Sequence, residues 1–243
     1  MPAQQIMLEH LVALGPDQIA VTPLGDDRPL FKFLPAEFAD ALVARGSVRI
    51  GTLLSFRSVE QHGAARGDPR EGDTTAVCHI DDLTLSPTST LPPFLAKALI
   101  PPPEGEAHIR NVFIESGGDD VDYYLYSVAA LPDVRLFQAF DCDTCVRISR
   151  PRSFFRTLSE ALSDWIAQSH DPVASMKCVH YGSRYGRYNP AFEAPGPFVK
   201  PVYFAYQLEV RMLWTPVHRP IEPFVTAVPG LSSFCDIFAR RSP

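Results

Sequence analysis

The sequence predicts an α+β domain with a mostly antiparallel sheet, two main helices flanking it and long loops, and three observations carry that prediction. Leu30 to Phe56 reads as strand, helix and strand in direct succession. Ser153 to about Gln168 carries a second helix with a clear apolar stripe. Elsewhere, short apolar runs are separated by Gly, Pro and Asp turns, as in antiparallel strands.

The first unit opens with an apolar strand, Leu30 to Leu34, ending at Pro35. From Pro35 to about Arg45, Phe38, Ala41, Leu42 and Ala44 share one stripe at helical spacing. Pro35 suits the first helical position, where its missing N–H costs nothing, and Gly46 suits a left-handed C-cap. Val48 to Phe56 is the second strand. Arg57 to Asp73 follows as a loop dense in charge and glycine: a solvated loop by default, a lid or substrate loop on a functional reading.

Composition bounds the rest. A chain of 243 residues can bury roughly 75% of its unfolded surface, so no staples are needed. The simplest organisation is one domain over 1–243, with an N-terminal helix and lead-in at 1–29, the strand–helix–strand unit and charged loop at 30–73, and the remaining sheet and helix at 74–243. The net charge of −6 argues against coating bulk duplex DNA, because phosphate neutralisation needs clustered cations. No run reaches the ~18 apolar residues of a membrane helix. The opening MPAQQIMLEHLVALG has Glu9 within its apolar part and no basic lead, so it reads as a short amphipathic helix and not a secretory signal. Five cysteines, an odd number, point to reduced thiols and a cytoplasmic setting.

Along the chain, Ile19 to Val21 is a short strand, and Thr75–Ile80 and Leu83–Leu85 are two more around Asp81-Asp82. Ser86 to Pro103 is a proline-rich surface loop holding the apolar segment Phe94–Ile100. Asn111–Glu115, a Gly117–Asp120 turn and Tyr123–Ala129 make a hairpin, followed by strands at Val134–Phe140 and Cys145–Ile148. In the late helix Ser153 is the cap, and Phe154, Phe155, Leu158, Leu162, Trp165 and Ile166 form the apolar face. Met176–Tyr181 is a strand, Gly182–Pro197 a loop, Val202–Trp214 a long strand and Phe234–Ala239 a short apolar segment.

Chemistry concentrates in the late strand. Alternation puts Tyr206, Leu208, Val210, Met212 and Trp214 on one face and Gln207, Glu209 and Arg211 on the other. Taken alone, the second face reads as a solvated one with a Glu–Arg pair along the strand. In the earlier strand Tyr124, Tyr126 and Val128 lie opposite Ser127. Cys142, Cys145, Cys178 and His180 could together hold a tetrahedral zinc, but Cys145 begins a strand, and buried free thiols are the simpler expectation; no metal is expected. Tyr181 to Tyr188 interleaves aromatics with Arg184 and Arg187, a pattern that stacks bases or, more plainly, packs a loop on a sheet. Phosphate-loop, dinucleotide-fingerprint and nucleophile-elbow motifs are absent.

A strand, a helix running to Gly46, a second strand and a late strand bearing Gln207-x-Glu209 together resemble ADP-ribosyltransferase-like folds, particularly the toxin-like and RNA-modifying branches. The chain is also similar to an uncharacterised bacterial group with a K-F/Y element near the start and a K-P … E-x-R element near the end, matched by Lys32-Phe33, Lys200-Pro201 and Glu209-x-Arg211. The resemblance implies a split sheet whose cleft takes NAD as a substrate. It implies that Glu209, with Gln207, favours an oxocarbenium-like transition state, and that Tyr126 or Ser127 lies beside the nicotinamide ribose. Lys32 falls where the family has His or Arg, and Lys serves there only as a point charge. Phe33 flanks it, and Arg57 is placed for a pyrophosphate. Arg184, Tyr185 and Arg187, just before the Glu strand, would meet the acceptor, protein or nucleic acid. The implied function is NAD-dependent ADP-ribosyl transfer or NAD cleavage, as in a bacterial toxin or phage-defence effector. The alternative is a non-catalytic module binding a nucleotide or a protein on the same scaffold. The enzyme reading expects Lys32, Tyr126 or Ser127, and Glu209 to converge on one cleft with Arg57 at its rim.

Overall fold

Leu30–Leu34 (β1) is apolar on both faces because it divides two cores: Leu30 and Leu34 join one cluster, Phe31 and Phe33 the other. The computed structural model describes residues 28–57, 76–91, 93–96, 98–116, 122–166, 174–182, 185–187 and 196–241. The expected N-terminal helix, the Ile19–Val21 strand and the charged loop beyond Arg57 lie outside them.

Ala36–Arg45 (α1) follows. Pro35, at φ −56° and ψ 146°, stands one residue before the first helical position. Gly46 caps the end in the left-handed region, φ 66°, with its N–H on the Leu42 carbonyl at 2.9 Å. The buried face of α1 is Ala39 and Leu42, whereas Phe38 is 56% exposed and Ala44 is exposed. The Phe38 stripe has helical spacing but lies one flank round from the core, since periodicity fixes spacing and not which flank meets the sheet.

Ser47–Thr52 (β2) is shorter than its sequence suggests, and Leu54–Arg57 is a 3₁₀ turn. Local side-chain bonds compete with the strand there. Ser55 Oγ–H donates to the Thr52 carbonyl at 2.7 Å, and the Leu54 N–H donates to Asp122 Oδ1 at 2.8 Å.

Ala76–Leu85 (β3) is one strand, not two, because the exposed Asp81 and Asp82 leave its ladder intact. After a single helical turn at Pro93–Ala96 (α2), it pairs with Ala107–Ser116 (β4) from Ala76 to Leu85. The hairpin is therefore β3–β4. Tyr124–Ala129 (β5) instead enters the large sheet.

Arg135–Ala139 (α3) is a short helix where a strand was expected. The Asp133 carboxylate accepts the Arg135 backbone N–H at 2.9 Å, one of the donors a helix start leaves free. Thr144–Ile148 (β6) leads to Pro151–Ala161 (α4). Pro151, not Ser153, sets that helix start, since proline occupies the first turn without loss. Phe154, Leu158, Leu162 and Ile166 are buried as the stripe predicts, while Trp165 stays half exposed.

Ala174–Cys178 (β7), His180–Tyr181 (β8), Tyr185–Arg187 (β9) and Val199–Lys200 (β10) precede a 3₁₀ helix at Val202–Gln207. Leu208 is left-handed, φ 44°, so the late strand is only Glu209–Trp214 (β11). Phe224–Ala227 (β12) and Cys235–Arg240 (β13) are the last of the described strands.

The large sheet is antiparallel in the order β12–β2–β5–β1–β6–β13, with β11 on the other edge of β5 and β7 beyond it. Residues 185–187 pair with β3 in a separate three-stranded sheet, and β10 pairs with β8. The architecture is α+β with a split, mostly antiparallel sheet. The split lies at β5. One of its edges pairs with β2 at Tyr124 and Leu125 and with β1 at Ala129, and among the described strands none meets that edge between them. α1 covers the gap, since its Ala39 and Leu42 share a core with Tyr126 and Val128.

Candidate active site at the split of the sheet

Cross-strand register determines which side chains can meet. Glu209 pairs with Ala129 and Arg211 with Ser127, so Glu209, Arg211 and Ser127 share one face. Lys32 pairs with Val146, and Tyr126 with Met212, on the face that carries the main core. Tyr126 and Ser127, the two alternatives for the ribose-side residue, are thereby separated. Ser127 Oγ–H donates to Glu209 Oε1 at 2.7 Å. Tyr126 is 3% exposed, packs against Phe154 and has no hydrogen-bond partner for its hydroxyl among the described residues. Burial raises its phenol far above the ordinary range.

Glu209 does not lie on a wet face. It is 7% exposed and Arg211 is fully buried, so the expectation of a solvated Glu–Arg pair is corrected while the pair itself stands. Arg211 Nε–H reaches Glu209 Oε1 at 2.8 Å, and Lys200 Nζ reaches Glu209 Oε2 at 2.8 Å and Gln207 Oε1 at 3.0 Å. The second guanidinium arm of Arg211 donates to the Pro197 carbonyl. The Glu209 N–H donates to Tyr181 Oη at 2.7 Å. Burial by itself would raise the carboxyl, but the charges of Arg211 and Lys200 and their hydrogen bonds outweigh it, holding Glu209 well below the usual carboxylate range.

Gln207 belongs to the 3₁₀ turn and not to the strand, yet Lys200 joins it to Glu209. Lys200 is fixed by pairing with Tyr181 across β10 and β8 and by lying 4.7 Å from the Phe204 ring. Lys200 and Tyr181 thus complete a cluster of which the sequence marked Gln207, Glu209 and the neighbouring Arg211 as one face, without joining Lys200 to it. The visible signal for Lys200 was the Lys-Pro pair nine residues before Glu209.

Lys32 reaches the cluster through the gap. Its ammonium passes over the Tyr126 ring at 4.6 Å and donates to the Ser127 carbonyl at 2.6 Å. It therefore meets Ser127 from the face opposite Glu209, which corrects the expectation that both side chains turn to one side.

A pocket of about 650 Å³ occupies the split. Lys32, Ser127, Gln207, Glu209, Lys200 and Arg211 line its polar part, and Phe31, Phe33, Phe38, Phe56 and Phe140 its apolar part. Arg57 is not among its described lining residues, although Phe56 of the same turn is. The backbone of Tyr185 and Arg187 belongs to the three-stranded sheet and not to the sheet of Glu209, and Arg184 lies outside the described residues.

The cysteines do not gather. Cys142 and Cys145 are buried together in one core, with burial pushing the Cys145 thiol up to about 12, while Cys178 belongs to β7, beside Val210 of β11. Among the described residues no group of three His, Cys, Asp or Glu side chains is placed to hold a metal, and no helix is long and apolar enough to cross a membrane. Comparison of the chain with protein-family models, curated proteins and solved structures gives no match.

Proposed function

We propose that the split-sheet pocket binds NAD and that the chain cleaves the nicotinamide–ribose bond, passing ADP-ribose to an acceptor or to water. One observation carries this reading: Ser127 Oγ–H holds Glu209 Oε1 at 2.7 Å inside a pocket lined by both apolar rings and polar groups. A carboxylate kept ionised and oriented in a water-poor site can stabilise positive charge that develops only as nicotinamide departs. Ser127 sets the oxygen's position, Lys200 and Arg211 keep the group ionised, and the phenylalanine walls suit the flat rings of a dinucleotide.

A second reading is favoured by a specific feature. Both Glu209 oxygens accept hydrogen bonds from cations, and Lys32 is committed to a backbone carbonyl. Such a saturated cluster suits a module that holds a nucleotide or protein partner without chemistry. Calorimetric titration with NAD, followed by a nicotinamide-release assay on wild type and Ser127→Ala, separates the two. Binding with release that falls about tenfold or more in the variant supports the enzyme. Binding without release supports the module.

A further inference from the structure

The pocket is strongly cationic in an acidic chain. Among the described residues its lining includes Lys32, Arg45, Arg49, Lys200 and Arg211 against Glu37 and Glu209, an excess of three positive charges, while the whole chain carries −6. These cations fall into two groups. Lys32 is engaged by the Ser127 carbonyl, and the buried Lys200 and Arg211 by Glu209. Arg45 and Arg49 are exposed, line the pocket, and have no ion pair or hydrogen bond to another described residue.

Their placement is rigid although their side chains are exposed. Arg45 is the last residue of α1 and Arg49 lies in β2, on either side of Gly46. That turn is pinned, because the Val228 N–H donates to the Gly46 carbonyl at 3.0 Å and a Cβ at Gly46 would lie 1.9 Å from the Val228 oxygen. Alternation along β2 puts Arg49 on the face of Gly51, which pairs with Leu125 on the side of Ser127 and Glu209. Two exposed guanidinium groups in the lining of a pocket with aromatic walls fit a ligand carrying anionic oxygens beside a flat ring. Arg forks match phosphate oxygens in charge and geometry.

We infer that Arg45 and Arg49 are a phosphate clamp, so that the pocket takes a phosphate-bearing nucleotide and discriminates against the bare nucleoside. The inference rests on the pocket being the nucleotide site proposed above, but not on any cleavage there. It also assigns the pyrophosphate contact to these two residues in place of Arg57.

The test is calorimetric titration of the full chain with ADP-ribose and with adenosine, for wild type, Arg45→Ala, Arg49→Ala and the double variant, at low and at physiological salt. Wild type should bind ADP-ribose at least tenfold more tightly than adenosine. Each single variant should lose about tenfold for ADP-ribose and the double variant more, with adenosine unchanged. The preference should shrink as salt rises. Arg45→Lys plus Arg49→Lys, which keeps charge but not the fork, should recover part of the loss. Equal affinity for both ligands in wild type, full ADP-ribose affinity in the double variant, or no ADP-ribose binding by wild type would each overturn the clamp. Nicotinamide release assayed on the same samples reports separately on the enzyme reading: clamp-dependent binding with no release keeps the inference and removes the catalysis.

Discussion

Lys32 and Glu209 meet at one residue from opposite faces of the sheet. Lys32 Nζ donates to the Ser127 carbonyl at 2.6 Å, while Ser127 Oγ donates to Glu209 at 2.7 Å. Ser127 sits where, among the described strands, none pairs with β5 between β1 and β2, so the lysine takes the place of a ladder donor. The same gap is the pocket.

Glu209→Gln keeps shape but leaves Arg211 and Lys200 buried without their counter-charge. Breaking one partner of a buried ion pair typically costs about 3–5 kcal/mol. The variant should therefore unfold at clearly lower urea, and Ser127→Ala is the gentler probe of activity. A Glu209→Gln midpoint equal to that of wild type would show that the cations do not depend on this carboxylate.

The same carboxylate sets an acid limit. Its folded-state pKa is depressed by Arg211 and Lys200 despite burial, while in the unfolded chain it titrates near ~4.3. Below that value the unfolded state binds the proton and the folded state resists it, so stability rises with pH there. The contribution is present in full above about pH 5 and is lost as pH falls below it. Urea unfolding at several pH values should show wild type and Glu209→Gln drawing together toward pH 3, and a constant gap would count against this.

Lys32→Met retains the aliphatic stem over Tyr126 and removes the donor to Ser127. The Ser127 carbonyl is part-buried, so leaving it without this donor should cost about 1 kcal/mol, the low end of the range for an unsatisfied group, which a thermal melt measures directly. If Lys32 instead contributes only surface charge, the change should stay within about 0.5 kcal/mol.

Tyr126→Phe should cost nothing. Its hydroxyl is buried with no partner among the described residues, so deleting it removes a desolvation penalty and leaves the ring packed on Phe154. The expected melting temperature is equal to or above that of wild type. A drop worth more than about 1 kcal/mol would reveal a partner for that hydroxyl.

Gly46→Ala should be destabilising for two separate reasons. A left-handed residue with a Cβ costs about 1–2 kcal/mol, and that Cβ would meet the Val228 carbonyl. The Gly105→Ala control shares the positive φ, 72°, but meets nothing within 4 Å. Comparison of the two melts isolates the contact, which should make Gly46→Ala the more damaging.

Local rules determined much of this protein from its sequence. The apolar run of β1, the left-handed cap at Gly46, the stripe of α4 and the α+β class follow from spacing, proline and glycine, which act within a few residues. Long-range pairing decided the remainder. The Asp81-Asp82 pair reads as a break, but a ladder across to β4 carries the chain through it. Val134–Phe140 has strand composition, yet Arg135–Ala139 is a helix, with the Asp133 carboxylate accepting the Arg135 N–H just ahead of it. For the site, Gln207-x-Glu209, the neighbouring Arg211 and the Lys200-Pro201 pair were legible, and the resemblance brought Lys32 and Tyr126 or Ser127 to the same cleft, yet which of these groups touch Glu209 was not. Lys200 is nine residues away, Ser127 eighty-two and Lys32 farther still, and only cross-strand register states which face each occupies. Whether Glu209 faces water or two buried cations depends on what packs above its strand, which alternation within one strand cannot encode. That is why the sequence marked the carboxylate and its arginine, and the tertiary structure added Lys200, their burial and the gap in the sheet beside them.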